Sequence, residues 1–148
     1  MQKLRSSRTP KIALTIAAMA LTALVVGIGV AGAKTASKRV VASAHNAALG
    51  KTVLTTLSGR TLYSLSAEKN GKFICKGSCL HDWHPLYVAA GTKPSGPAKL
   101  GTIARPDNGR RQVTAHGLPL YTFDEDERKG DAKGEGIKDV GTWHAATP

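Results

Sequence analysis

The side chains best suited to chemistry sit within ten positions of one another. Cys75 and Cys79 are separated by three residues, and His81 and His84 flank Trp83 just beyond them. Two thiolates and two imidazoles would make a fitting ligand set for Cu or Zn. His144 directly follows Trp143 and would add a ligand if the two Trp-His pairs met. If the cysteines are oxidised, only His81, His84 and His144 remain, a weak and pH-sensitive site. Outside the cytoplasm an even cysteine pair in a small domain is expected to form a disulfide. Three intervening residues in a turn or helical arc bring the Cα atoms to about 6 Å, within bridging range. The spacing is neither the Cys-x-x-Cys of thioredoxin-like redox sites nor the Cys-x-x-Cys-His of covalent haem attachment.

A second cluster is acidic. Asp124, Glu125, Asp126 and Glu127 precede Asp131 and Glu135 on a Gly-rich stretch, hard-oxygen chemistry of the kind that binds Ca²⁺. The spacing does not match a twelve-residue EF-hand loop, and Arg128, Lys129 and Lys133 offset much of the charge. The bland alternative is a solvated turn in which Asp126 caps backbone N–H groups. No catalytic residues are proposed, since G-x-S-x-G, HExxH, P-loop and GxGxxG patterns do not occur. Nor do basic residues interleave with aromatics as they do in nucleic-acid-binding surfaces, so no nucleic-acid partner is expected.

What must position these groups is a small domain behind a leader. All seven aromatic residues follow Lys51, which confines the large core-forming side chains to the last 98 of 148 residues. Residues Ile12 to Ala33 form an uncharged run of 22, preceded by Lys3, Arg5, Arg8 and Lys11 and ending on Ala31-Gly32-Ala33. That is the layout of a secretory signal with a small-x-small cleavage site, and it is also long enough for a membrane-spanning helix. Either way residues 1–33, as signal peptide or N-terminal anchor, leave the rest outside the cytoplasm. No cysteine ends the run, so lipid attachment is not expected. Residues 34–50 hold Ala, Ser, Lys and Val without aromatics and read as a flexible linker. Of the formal +11, +7 remains beyond residue 33, which favours approach to anionic envelope surfaces.

From Lys51 onward, 12 glycines and 6 prolines punctuate short apolar runs, a pattern of short strands and turns. The clearest predicted strands are Val53 to Thr56, Leu62 to Leu65, Gln112 to Ala115 and Leu118 to Phe123. Ser58-Gly59 and His116-Gly117 read as hairpin turns. The fold class is therefore mostly β, a small domain of short antiparallel strands over 51–148, preceded by an N-terminal hydrophobic helix. Two internal repeats are also expected, at about 51–87 and 111–148. Leu62-Tyr63 matches Leu120-Tyr121 at an offset of 58, and Trp83-His84 matches Trp143-His144 at 60. Neither half is large enough to fold alone, so the Tyr and Trp pairs would share one core.

These residues resemble the secreted repeat family of small bacterial envelope proteins, many of them lipoproteins, named for a Y-x4-D motif. The second half carries Tyr121, Phe123 and Asp126, then Gly130-Asp131, Gly134, Gly136 and Gly141 ahead of Trp143. The first half is looser, with Tyr63, Leu65 in place of an aromatic, and Glu68 in place of Asp. Cys75-Lys76-Gly77-Ser78-Cys79 followed by Trp83, and the stretch Leu100 to Asp107, are also similar to family patterns. The resemblance implies an exported β domain and brings no settled activity with it. The expected function is a non-enzymatic envelope or secreted binding module, contacting an envelope component and touching the membrane only through its N-terminal segment. The alternative is a metal- or haem-associated electron-transfer or metal-handling protein.

Overall fold

The computed structural model describes residues 37–148. The expected signal or anchor, with its hydrophobic helix, lies outside them. Among the described residues no helix is long and apolar enough to cross a membrane. The architecture is mostly β, in short and mainly antiparallel strands. One four-stranded sheet has the order β12 (Trp143–Ala145), β4 (Tyr63–Leu65), β11 (Tyr121–Phe123), β5 (Trp83–Pro85). In the other, β9 (Arg111–Ala115) is central and pairs with β8 (Leu100–Ala104), β6 (Tyr87–Val88) and β10 (Leu118–Pro119). A hairpin of β2 (Ala42–Asn46) and β3 (Lys51–Thr55) and a parallel pair of β1 (Ser37–Arg39) with β7 (Lys93–Ser95) complete the strands. The helical turns are a 3₁₀ turn at Lys69–Gly71 and the single-turn α1 at Cys79–Asp82.

The flexible linker expected over 34–50 is corrected from Ser37 onward. Residues Ala42 to Asn46 pair with Thr55 to Lys51 in continuous register, and Val41 is fully buried. The misreading has a local cause. β2 exposes most of its small side chains, so no apolar alternation marks it; its partner strand and the core beneath Val41 order it instead.

Side-chain alternation along the strands builds two cores. Val53, Tyr63, Leu65, Trp83, Tyr121, Phe123 and Trp143 form an aromatic one. Val41, Leu54, Leu62, Val113 and Leu120 form an aliphatic one. The Leu62-Tyr63 and Leu120-Tyr121 dipeptides each send the leucine to the second core and the tyrosine to the first. Between the sheets the backbone closes two rings of bonds. Leu54 N–H donates to Ala146 O at 2.7 Å, Ala146 N–H to Leu62 O at 2.8 Å, and Leu62 N–H to Leu54 O at 2.9 Å. The second ring runs from Val113 N–H to Leu86 O at 2.8 Å, Leu86 N–H to Leu120 O at 2.9 Å, and Leu120 N–H to Val113 O at 2.9 Å. The β9–β10 turn is His116-Gly117, with φ of 51° and 84°, the left-handed pair that a type I′ hairpin requires.

Candidate functional site

Tyr63, Glu68, Tyr121, Phe123, Asp126, Trp83 and Trp143 are all buried. Trp83 and Trp143 stack at 3.7 Å between centroids, with Phe123 stacked on Trp83 at 4.4 Å and Tyr121 edge-on to Trp143 at 5.1 Å. Gly134 sits against this stack: a Cβ there would meet the Trp83 ring at 2.8 Å and the Tyr63 ring at 2.9 Å. Only glycine allows that approach.

The two tyrosines and the two acids five residues after them are bonded crosswise. Tyr63 OH donates to Asp126 Oδ2 at 2.6 Å, and Tyr121 OH donates to Glu68 Oε2 at 2.8 Å. Each acid also organises a loop. Glu68 Oε1 accepts Ile74 N–H at 2.7 Å and Cys75 N–H at 2.8 Å, while Asp126 Oδ1 accepts Lys133 N–H at 2.9 Å. Asp126 accepts one backbone N–H, from Lys133 seven residues on, and is buried rather than part of a solvated turn. These contacts satisfy buried acceptors whose exposure to an apolar core would otherwise cost several kcal/mol.

Arg105, only 1 % exposed, completes the network. Its Nη1 donates to Gln112 Oε1 at 2.8 Å and to Tyr121 OH at 3.2 Å, its Nη2 to Cys75 O at 2.8 Å, and its Nε to Asp107 at 2.9 Å. Burial works against its charge, yet the bonds to Asp107 and Tyr121 prevail and hold the guanidinium above its ordinary pKa. In the sequence the Arg105-Pro106-Asp107 stretch is similar to family patterns but does not show this role. The one local sign was an arginine two residues before an aspartate in a turn.

Burial raises the phenol pKa of both tyrosines, with the Asp126 bond adding at Tyr63 and the Glu68 charge at Tyr121. A raised folded-state pKa stabilises fully below the unfolded value of about 10 and is lost as pH climbs through the folded value. The unfolding free energy should therefore fall above about pH 10, by up to about 1.4 kcal/mol per pH unit for each phenol. Tyr63→Phe or Tyr121→Phe should flatten that fall, read from urea unfolding at stepped pH. A midpoint indifferent to pH in the wild type would contradict the buried, neutral phenols.

Cys75 and Cys79 form a disulfide across a Cα separation of 5.3 Å. Cys75 thereby joins the bridge, the Glu68 carboxylate and the Arg105 guanidinium at one residue. The histidines are not brought together. His81 is exposed on α1. His84 and His144 lie on opposite edge strands, three strand spacings or about 14 Å apart. The indoles stack on one face of the sheet, whereas the histidines one position later point to the other face. His84 bonds Asp124 at 3.1 Å and His144 bonds Glu135 at 2.9 Å. Among the described residues no three His, Cys, Asp or Glu side chains are gathered as a metal set. On the acidic loop, Asp131 Oδ2 accepts Glu127 N–H at 3.0 Å and Arg128 N–H at 2.9 Å, closing a turn.

The accessible chemistry lies elsewhere. Over residues 37–123 twelve basic side chains stand against three acidic ones, +9 net; over 124–148 four stand against seven, −3 net. Within the basic stretch of sequence, Tyr87, Val88, Gly109, Arg110 and Arg111 wall an open cleft of about 440 Å³. The Arg110 guanidinium lies 3.6 Å over the Tyr87 ring, and Asn108 Nδ2 donates to Tyr87 OH at 2.9 Å. This aromatic platform fixes the arginine and leaves its donors to solvent. No spacing rule could pair residues 23 apart in sequence; the β6–β9 register, with Val88 opposite Arg111, does so.

Residues 102–147 match a family model described as a secreted repeat of unknown function. The matched span begins within β8 and ends just past β12. Comparison with curated proteins and with solved structures gave no match.

Proposed function

We propose that this chain is an exported, non-enzymatic module that binds an anionic component of the cell envelope. The observation that carries the reading is the Arg110 guanidinium held over the Tyr87 ring at an open cleft, with Arg111 beside it. The +9 of residues 37–123 includes Arg110 and Arg111 at a cleft where Tyr87 pre-orients a guanidinium. Planar, pre-positioned arginines suit phosphate and carboxylate groups. The uncharged run with its basic flank, and the secreted description of the matched family, support a place outside the cytoplasm.

We also infer that the domain arose by internal duplication, with the Trp strands exchanged between halves. In support, β2, β3, β4 and β5 recur in order as β8, β9, β11 and β12. The Trp83 strand pairs with β11, and the Trp143 strand pairs with β4. The crosswise tyrosine–acid bonds and the two backbone rings follow the same exchange. The family match starting at residue 102 agrees with a repeat that begins at β8, earlier than residue 111.

Binding of the full chain to soluble poly(glycerol phosphate), with neutral dextran as control, tests the function. Saturable, salt-weakened binding to the phosphate polymer alone is expected. The pair Arg110→Gln and Arg111→Gln should weaken it about fivefold. Equal affinity for dextran, or no effect of the paired substitutions, would defeat this reading.

A further inference from the structure

A second recess lies on the outer face of β4 and β12, away from the Arg110–Tyr87 cleft. It measures about 410 Å³ and is lined by Ser64, Ser66, Lys69, His116, Leu118 and His144, with the chain end beside them. That size falls within the range of small-ligand sites. Its polar members come from four separate places: strand β4, the 3₁₀ turn, the β9–β10 turn and strand β12.

Two features show these groups held in position. His144 stands directly opposite Ser64 in the strand register. Its Nδ1 is bonded to Glu135 at 2.9 Å, which fixes the ring and leaves Nε2 as the nitrogen available to a ligand. Glu135 brings little net negative charge to the recess. Its Oε2 is met by Ala145 N–H at 2.8 Å and by Lys51 Nζ at 3.4 Å. His116 is the other. Among the described residues it is the one non-glycine with a positive φ, 51°. A type I′ turn is satisfied at least cost by Asn-Gly, so His116-Gly117 places an imidazole at a position the turn does not need it for. Histidine is among the few non-glycine residues that adopt this conformation readily, and the turn therefore fixes where the imidazole leaves the backbone among the groups lining the recess.

We propose that this recess is a binding site for a phosphate ester of a small polyol. The Lys69 ammonium supplies positive charge and, with a ring N–H of His116, donors around a tetrahedral oxyanion, while His144 Nε2, the nitrogen left free by the Nδ1 bond to Glu135, accepts a hydroxyl of the polyol. The Ser64 hydroxyl adds a donor from the sheet face, and Leu118 offers an apolar wall for the carbon portion. A tetrahedral oxyanion, with three or four acceptor oxygens, uses this number of convergent donors better than a carboxylate with two. The site is independent of the Arg110–Tyr87 cleft, and one can fail without the other.

The test is a titration of the full chain with glycerol 3-phosphate, inorganic phosphate and glycerol at fixed pH, followed through the imidazole C–H NMR signals. The chain has five histidines, so the readout locates the ligand. Saturable shifts at His116 and His144, with His45, His81 and His84 unmoved, are expected for glycerol 3-phosphate, and weaker ones for inorganic phosphate. Lys69→Gln should weaken binding about fivefold. His116→Asn should do the same while keeping the turn, since asparagine tolerates positive φ. Arg110→Gln should leave the titration unchanged. Non-saturating shifts shared by all five histidines, or no shift up to about 10 mM ligand, would overturn the site. So would loss of binding in Arg110→Gln with none in Lys69→Gln. If this titration fails while the phosphate polymer still binds through Arg110 and Arg111, only the second site falls; if both fail, the anion-binding function falls with it.

Discussion

Trp143→Ala should lower the unfolding free energy by about 3–5 kcal/mol, the usual cost of emptying a buried aromatic position. Trp143 is fully buried, stacks on Trp83 at 3.7 Å and meets Tyr121 edge-on at 5.1 Å. Its removal leaves a void flanked by rings that are themselves fixed by strand pairing and cannot collapse inward. The loss is comparable to the whole stability of a domain this size, so the variant should be largely unfolded or melt far earlier than the wild type. Because β12 pairs with β4, the damage should reach residues 51–87 as strongly as 111–148. His84→Ala removes only an exposed ring bonded to an exposed carboxylate and should cost under about 1 kcal/mol. Urea denaturation followed by probes in both halves separates the outcomes. Two transitions, or a Trp143→Ala midpoint as mild as that of His84→Ala, would show that the aromatic core is not shared.

Arg105→Ala should be of similar size for a different reason. The substitution takes away five donors at once and strands Asp107, Gln112 Oε1, the Tyr121 hydroxyl and the Cys75 carbonyl beside an empty space. Removing one partner of a buried charged network typically costs about 3–5 kcal/mol, because the remaining charge stays desolvated. Glu68→Ala alone should also be severe, since it orphans the Ile74 and Cys75 amides and the Tyr121 hydroxyl. The two changes together should cost clearly less than their sum, as Tyr121 OH links the two groups and the second loss finds its partner already gone. Additivity within about 0.5 kcal/mol in a double-mutant cycle would mean that the two charges do not form one network.

The sequence alone determined what depends on near neighbours. Gly and Pro spacing announced short strands. His116-Gly117 announced its hairpin, because φ preference belongs to single residues. Cys75 and Cys79 were readable as a bridge because three residues limit how far apart their Cα atoms can go. Tyr63 and Tyr121 were recognisable as core because they recur at an offset of 58 together with the recurring tryptophans.

Only the tertiary structure decided which surfaces those elements share. Strand β2 was misread because its small, exposed side chains carry no alternation, and its order comes from β3 and the core. Whether the two Trp-His pairs would meet was open in the sequence; strand pairing stacked the indoles on one face of the sheet and left the imidazoles on the other. The acids five residues past each tyrosine were legible as a pattern, but not that each receives the other tyrosine's hydroxyl. Likewise Arg105, Tyr87 with Arg110, and the recess at His116 join residues from distant strands. Backbone and turn preferences act over a few residues and can be read along the chain. Strand exchange and buried charge pairing depend on which strand lies next to which, and that is settled only when the whole core closes.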